Sequence, residues 1–391
     1  MMFRHTRAIA RAAIALAFIV IVLGAFVRLS DAGLGCPDWP TCYGKATWPT
    51  LDADIARAND AFPERPVELH KAWREQIHRH LAAGLGLLVL ILALGSNWAQ
   101  PMRRWLLAAA AVAAAAGTFA WIAGLATLSA GLSLVALGLP LALAIVPGLA
   151  SGGRPLPDWA RYCAFLFALI MFQAILGMWT VTWKLKPIVV MAHLLGGLAV
   201  FSMLVWIGHR SRSAAGRMFV PLPAPASVLS ALRTWVWLGL AVLVLQIALG
   251  GWTSANYAAL ACGTDFPRCL GQWWPATDFG EAFVLWRGIG VDYEGGLLDG
   301  PARTAIQLAH RIGAVVTVAM VLALVAVLRR QPALRRPAWV LLALLTAQVA
   351  LGIANVWFGL PLPVASAHNA VAALLVAAMV VILSRLTPRR D

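Results

Sequence analysis

The sequence predicts an all-α integral membrane protein of about ten transmembrane helices, built as a tandem duplication of a four-helix unit with a two-helix insertion in the first half. Three observations predict it. Of 391 residues, 61% are hydrophobic and 12% are charged, outside the range of soluble globular domains. Apolar runs of about 20 residues recur along the chain, each long enough to cross a hydrocarbon core roughly 30 Å thick. Finally, the loops, histidines and Leu-Gly pairs of the first half return in the same order in the second.

The first span, 11–29, follows Arg7 and Arg11 and so has the start of a secretory signal. No convincing small-residue cleavage site follows it, and 234–254 is its counterpart in the second half, so it reads as a retained helix. A long loop over 30–76 comes next. The span 77–98 then opens on Glu75-Gln76-Ile77-His78-Arg79. As one helix, Trp105–Leu149 would be about 68 Å long at 1.5 Å per residue, too long for one crossing, so it divides into 105–126 and 130–149. These two segments hold no His, Asp, Glu, Lys or Arg and have no counterpart later in the chain. Spans 160–183, with Leu176-Gly177, and 188–208, opening on His193, complete the first half. An inner linker at 209–233 leads to 234–254 and a second long loop at 255–303. Span 304–328 carries Gln307-Leu308-Ala309-His310-Arg311, 338–358 carries Leu351-Gly352, and 366–385 opens on His368. The domains expected are therefore 1–208, with 105–149 inserted, and 234–391.

A formal net charge of +15 would fit a nucleic-acid partner, but its distribution excludes one. With the N-terminus inside, the short inner segments collect arginines such as Arg4, Arg103, Arg154, Arg210, Arg217, Arg329, Arg336 and Arg389, opposed only by Asp158 and Asp391. The two long loops fall outside and carry most of the Asp and Glu. This is the positive-inside pattern. It predicts a cell inner membrane protein with both termini cytoplasmic and membrane lipid as its surroundings.

Each long loop carries a close cysteine pair. Cys36-Pro37-Asp38-Trp39-Pro40-Thr41-Cys42-Tyr43-Gly44 is answered by Cys262-Gly263-Thr264-Asp265-Phe266-Pro267-Arg268-Cys269-Leu270-Gly271. Outside the cytosol such spacing permits disulfides Cys36–Cys42 and Cys262–Cys269. The pairs are either structural staples or redox-active thiols facing a quinone. Zinc is disfavoured because no His accompanies them at finger spacing. Cys163 lies in a span and reads as a small buried hydrophobe.

Histidine within lipid is costly without a partner, so an intramembrane His marks function by default. His78, His193, His310 and His368 sit within the first turns of four spans, two per half and in register. This pattern suggests two pairs of axial ligands, and haem iron takes two trans imidazoles. Ala82, Gly197, Ala314 and Ala372, each four residues on, leave room for a flat macrocycle. Any one of these histidines alone is as well explained as a hydrogen-bonded structural residue; four in register favour ligation. His80 points to another helix face than His78, and His5, His70 and His209 belong to loops or ends. One asymmetry separates the halves: Glu75 stands three residues before His78, and Gln307 three before His310. A carboxylate there can take up a proton or offset positive charge, whereas an amide of the same size cannot. The alternative role for Glu75 is a cap or an ion pair with Arg79 at the helix start.

These residues together resemble the haem A synthases, over nearly the whole chain except 105–149. The resemblance implies oxidation of the C8 methyl group of haem O to the formyl group of haem A for terminal oxidase assembly. It implies His78 and His193 on the substrate haem, His310 and His368 on a haem b cofactor, and Glu75 in catalysis. Haem O synthase, a quinone or other electron carrier, and oxidase assembly factors are the partners it suggests. Two other classes fit parts of the pattern: a bis-histidine cytochrome b that relays electrons, and a quinone-linked disulfide oxidoreductase.

Overall fold

The computed structural model describes residues 2–146, 148–153, 156–213 and 224–387. Among these there is no strand, only single bridges within the long loops. Ten helices are long and apolar enough to cross a membrane. Part of the linker expected at 209–233 lies outside the described residues, as do Arg154, Arg217 and Arg389.

The chain divides into two units by contact, and they cut two helices: α1 (Met2–Leu29) and α7 (Pro187–Ser213) each contribute to both. The first unit comprises Met1–Val20, Ala32–Thr182 and Ala199–Ser211. Its frame is α3 (Leu69–Ser96), α4 (Pro101–Ile122), α5 (Ala126–Ile145) and α6 (Asp158–Thr182), with the short α2 (Asp52–Ala61) in the long loop. Helix α3 packs on α6 and α4, and α5 packs on α4 and α6. The α1 and α7 segments of this unit meet through Phe18 and Phe201, with ring centroids 6.1 Å apart.

Helix α3 begins at Leu69 rather than near 77. A hydropathy window finds where the apolar run starts, and the extra turns, Leu69–Gln76, are polar. The long loop covers them, so Ala72, Glu75 and Gln76 are buried. Gly35 permits that cover, since a Cβ there would come within 2.6 Å of the Lys71 backbone.

The pair divided from 105–149 is α4 and α5, which form a hairpin turning at Ala123–Leu125 with Gly124 at φ 75°. Gly117 lets the two helices close, because a Cβ on it would lie 3.3 Å from the Leu132 Cβ. Trp105, Val112, Phe119 and Leu134 remain exposed on the hairpin, a face suited to lipid. Arg103 is a different matter. Sequence placed it among the inner basic residues, yet it is wholly buried. Its Nε donates to Asn97 Oδ1 (2.7 Å), its Nη1 to the Leu149 carbonyl (2.8 Å) and its Nη2 to the Leu143 carbonyl (2.8 Å). A guanidinium needs such a set of acceptors when water is excluded, and this one ties the end of α3 to both arms of the hairpin.

The second unit comprises Ile21–Asp31, Trp183–Leu198 and Arg212–Asp391. Helices α8 (Ala226–Ala255), α10 (Gly300–Leu328), α11 (Arg335–Trp357) and α12 (Leu362–Leu386) form a closed ring: α8 packs on α10, α10 on α11, α11 on α12 and α12 on α8. The one-turn α9 (Phe279–Ala282) lies in the second long loop. There Trp252 Nε1 donates to the Ala282 carbonyl at 2.9 Å, and Trp252, Ala258, Leu298, Ala302 and Ile306 form a core beneath the loop. Asp299 starts α10 by accepting the Ala302 N–H at 2.9 Å.

Arg103→Leu should lower the stability of the detergent-solubilised protein by at least about 1–3 kcal/mol, the cost of orphaning one buried acceptor. Arg104→Leu, which loses a stacking contact with Trp98, should cost only about 0.5–1 kcal/mol. Thermal unfolding of the two variants side by side checks the contrast; equal melting temperatures would refute the anchoring role.

Candidate functional site

The site is built on two similar arrangements of helix start and disulfide loop. In the first unit Cys36 is bonded to Cys42, and the loop between them lies on α3. Arg79 holds it: Nη1 donates to the carbonyls of Asp38 (2.8 Å) and Thr41 (2.7 Å), and Nη2 reaches that of Cys36 (3.4 Å). Asp38 organises the turn from within, accepting the N–H of Tyr43 (2.6 Å) and of Gly44 (2.8 Å). Tyr43 and Gly44 then adopt left-handed backbone, φ 54° and 74°. The Tyr43 hydroxyl donates to the Arg65 carbonyl at 3.1 Å, and burial pushes its pKa up to about 12.

In the second unit Cys262 is bonded to Cys269. Arg311 occupies the place of Arg79. Its Nη1 donates to the carbonyls of Arg268 (2.8 Å) and Pro267 (3.4 Å), and its Nη2 to that of Asp265 (3.0 Å). Asp265 accepts the Gly271 N–H at 2.7 Å, with Leu270 and Gly271 left-handed. In each His-Arg pair, the Arg therefore grips the loop through a fork of carbonyls, a task that suits a planar guanidinium better than an ammonium. All four disulfide sulfurs sit on buried residues, an arrangement that favours a staple over exchange with a partner.

Glu75 and Gln307 occupy equivalent places and differ in what they bind. Glu75 is 4% exposed. Its Oε2 accepts the Cys36 N–H at 2.9 Å and its Oε1 pairs with Arg79. The carboxylate thus joins the disulfide loop, the Arg clamp and the helix that carries His78. Gln307 is equally buried, yet its Oε1 has no hydrogen-bond partner. The ion pair with Arg79, which sequence left as an alternative role for Glu75, is formed. His80 Nε2 lies 3.0 Å from the Ala46 carbonyl, and Gln76 Nε2 donates to the same oxygen at 2.7 Å. Both therefore serve the loop.

His310 lies on α10 and His368 on α12, both helices of the α8–α10–α11–α12 ring. His78 lies on α3 in the first unit and His193 on the part of α7 assigned to the second. The imidazoles of His310 and His368 are each matched by a Gln and a Gly on a neighbouring helix. Gln246 Nε2 lies 3.1 Å from His310 Nδ1 and 3.0 Å from the His310 carbonyl oxygen. Gln348 Nε2 lies 3.2 Å from His368 Nε2. A Cβ on Gly250 would sit 3.1 Å from His310 Cε1, and one on Gly352 would sit 3.1 Å from His368 Cε1. Sequence reading used the Leu-Gly pairs only as repeat markers and missed the glutamines. The missed signal is Gln-x-x-Leu-Gly, present at Gln173–Gly177, Gln246–Gly250 and Gln348–Gly352.

The residues of this ring fit a haem. Gln246 Oε1, Gln307 Oε1, Gln348 Oε1, Asn355 Oδ1, Ser366 Oγ and His368 Nδ1 are buried without a hydrogen-bond partner. So many orphaned polar atoms in one apolar bundle indicate that a further polar group completes it. Among the described residues no group of three or more His, Cys, Asp or Glu side chains offers a site for a bare metal ion. Two imidazoles suffice for a chelated iron.

Arg311→Lys should loosen the second disulfide loop, since one ammonium cannot span the three carbonyls. A hydrogen bond to a charged group contributes about 1.5–3 kcal/mol, so amide exchange at Gly271 should quicken by about tenfold or more. Hydrogen-exchange mass spectrometry reads this directly, and an unchanged rate would rule out the clamp.

Comparison with known proteins accords with this geometry. A family model described as COX15-CtaA, cytochrome oxidase assembly protein, matches residues 7–152 and 128–380. The chain is 40% identical over 367 residues to a haem A synthase of Shewanella oneidensis, covering 93% of this chain and 91% of that protein. It is 27% identical over 387 residues to a haem A synthase of Rhodopseudomonas palustris, with 96% and 89% covered. A haem A synthase of a Chelativorans species is 26% identical over 373 residues, with 91% and 83% covered. As the two matched stretches together take in the Glu75 helix, the four histidines and the two disulfide loops, the chain belongs to the COX15-CtaA family of cytochrome oxidase assembly proteins.

Proposed function

We propose that this chain is a membrane oxidoreductase that converts the C8 methyl group of haem O to the formyl group of haem A for terminal oxidase assembly. The observation that carries the reading is the contrast between Glu75 and Gln307 in two otherwise similar frames. A duplicated unit that keeps an ionisable side chain on one side only is suited to one reacting haem and one resident haem. The similarity to a haem A synthase over 93% of this chain supports the same activity.

In this reading the first half, 1–208, presents haem O through His78 and His193, and the second, 234–391, holds haem b through His310 and His368. Haem b, when bound, supplies a one-electron route away from the reacting centre. Glu75 takes up a proton lost at the methyl carbon or offsets positive charge there. Arg79 and the Cys36 N–H orient its two oxygens, and the stapled loop above keeps bulk water from the carboxylate. The basic short segments support an inner-membrane placement with both termini cytoplasmic and the disulfide loops on the opposite side.

Glu75→Gln keeps the side-chain volume and an acceptor for the Cys36 N–H but removes the ionisable function. The variant should retain haem b and lose haem A production by about a hundredfold or more, the low end for a positioned acid–base group. Extraction and chromatography of the co-purifying haems measures both. Wild-type haem A production with intact haem binding would remove Glu75 from the chemistry. Separately, His310→Ala and His368→Ala should each abolish most of the low-spin haem b spectrum while the protein still inserts; a full spectrum in either would overturn the ligand assignment.

A further inference from the structure

We propose that Gln246 and Gln348 are positioning residues that set the imidazoles of His310 and His368 for iron ligation. The proposal rests on the haem b assignment above and adds residues from the two helices that carry no ligand.

An imidazole that gives Nε2 to a metal must keep its proton on Nδ1, and that N–H needs an acceptor to fix the tautomer and the ring plane. In lipid the acceptor has to come from the chain itself. Each glutamine is placed to supply it. Gln246 touches His310 at both its ring (3.1 Å) and its carbonyl (3.0 Å), and Gln348 touches the ring of His368 (3.2 Å). Their Oε1 atoms are buried and without a partner. A half-turn of the Gln246 amide brings Oε1 opposite His310 Nδ1–H; at His368 the imidazole turns over as well, which places its unpartnered Nδ1 beside Gln348 and frees Nε2.

The surrounding glycines are consistent with this. Gly250 and Gly352 stand four residues after their glutamines, hence on the same helix face. Each leaves the imidazole edge a space that a Cβ would narrow to 3.1 Å. Gly313, three residues after His310, leaves room for the amide itself, since a Cβ there would collide with Gln246 Oε1. Gln-x-x-Leu-Gly thus reads as an imidazole cradle: the amide orients the ring and the glycine admits it. At the same register α1 has Val20 before Leu23-Gly24, so that helix offers no amide at the corresponding position.

The test uses the full-length holoprotein in lipid nanodiscs, with Gln246→Leu, Gln348→Leu, Gln246→Glu and Gln348→Glu. The Leu variants should lose haem b affinity by roughly 10–100-fold. The haem b they retain should show altered ferric electron-paramagnetic-resonance g values and a raised midpoint potential, because the ligand loses electron density. The Glu variants should hold haem b and shift the potential downward, since a stronger acceptor on Nδ1–H makes the imidazole a better donor. Wild-type affinity, g values and potential in the Leu variants would overturn the proposal. Should the Leu variants fail to insert, the Glu variants decide, and an unshifted potential overturns it. A full haem b spectrum in His310→Ala would instead sink the ligand assignment, so the two failures are distinguishable.

Discussion

Hydrocarbon offers no hydrogen bonds, so a polar side chain inside a spanning bundle must find its partner within the protein or carry a cost of several kcal/mol. Arg103 meets the constraint with one amide oxygen and two carbonyls, and Arg161 with the Ala144 carbonyl. Thr253, Thr317 and Thr346 meet it by donating to the carbonyl four residues back. Among the described residues, unpartnered buried polar atoms occur in several places, among them Gln76, Gln100 and Lys186, and others lie on α8, α10, α11 and α12: those of Gln246, Gln307, Gln348 and Asn355, with Ser366 and His368.

The ends of the helices follow a different economy. In each His-Arg pair the Arg holds the loop above, and in the second pair His310 turns to Gln246 and Gly250 of the bundle. Each disulfide loop, Cys36–Cys42 and Cys262–Cys269, is too short to enclose a core of its own. A disulfide, an Asp that closes a turn and a guanidinium that collects carbonyls replace the missing core. The same three devices recur around Asp38 and Arg79 and around Asp265 and Arg311. Against that common frame Glu75 and Gln307 are conspicuous, because only the carboxylate is bound at both its oxygens. Its two partners restrain the side chain, and restraint is what a group acting on one particular carbon requires.

Class and span number were legible in the amino-acid sequence because they depend on local chemistry. About 20 consecutive apolar residues cross a bilayer whatever they pack against, and a repeated frame of Cys, Glu or Gln, and His survives as spacing. The division of 105–149 into two helices followed from length alone. Contacts between distant residues were not legible. Arg103 read as one more inner-face cation, since nothing nearby in sequence tells that Leu143, Leu149 and Asn97 converge on it. The early start of α3 was hidden because the loop that buries its polar turns is far away in the sequence. Nothing local distinguishes Gln246 and Gln348; the folded bundle sets each beside an imidazole 64 and 20 residues away. Tertiary structure decided these points because a hydrogen bond is specified by position in space, and only the packing of the helices brings donor and acceptor together.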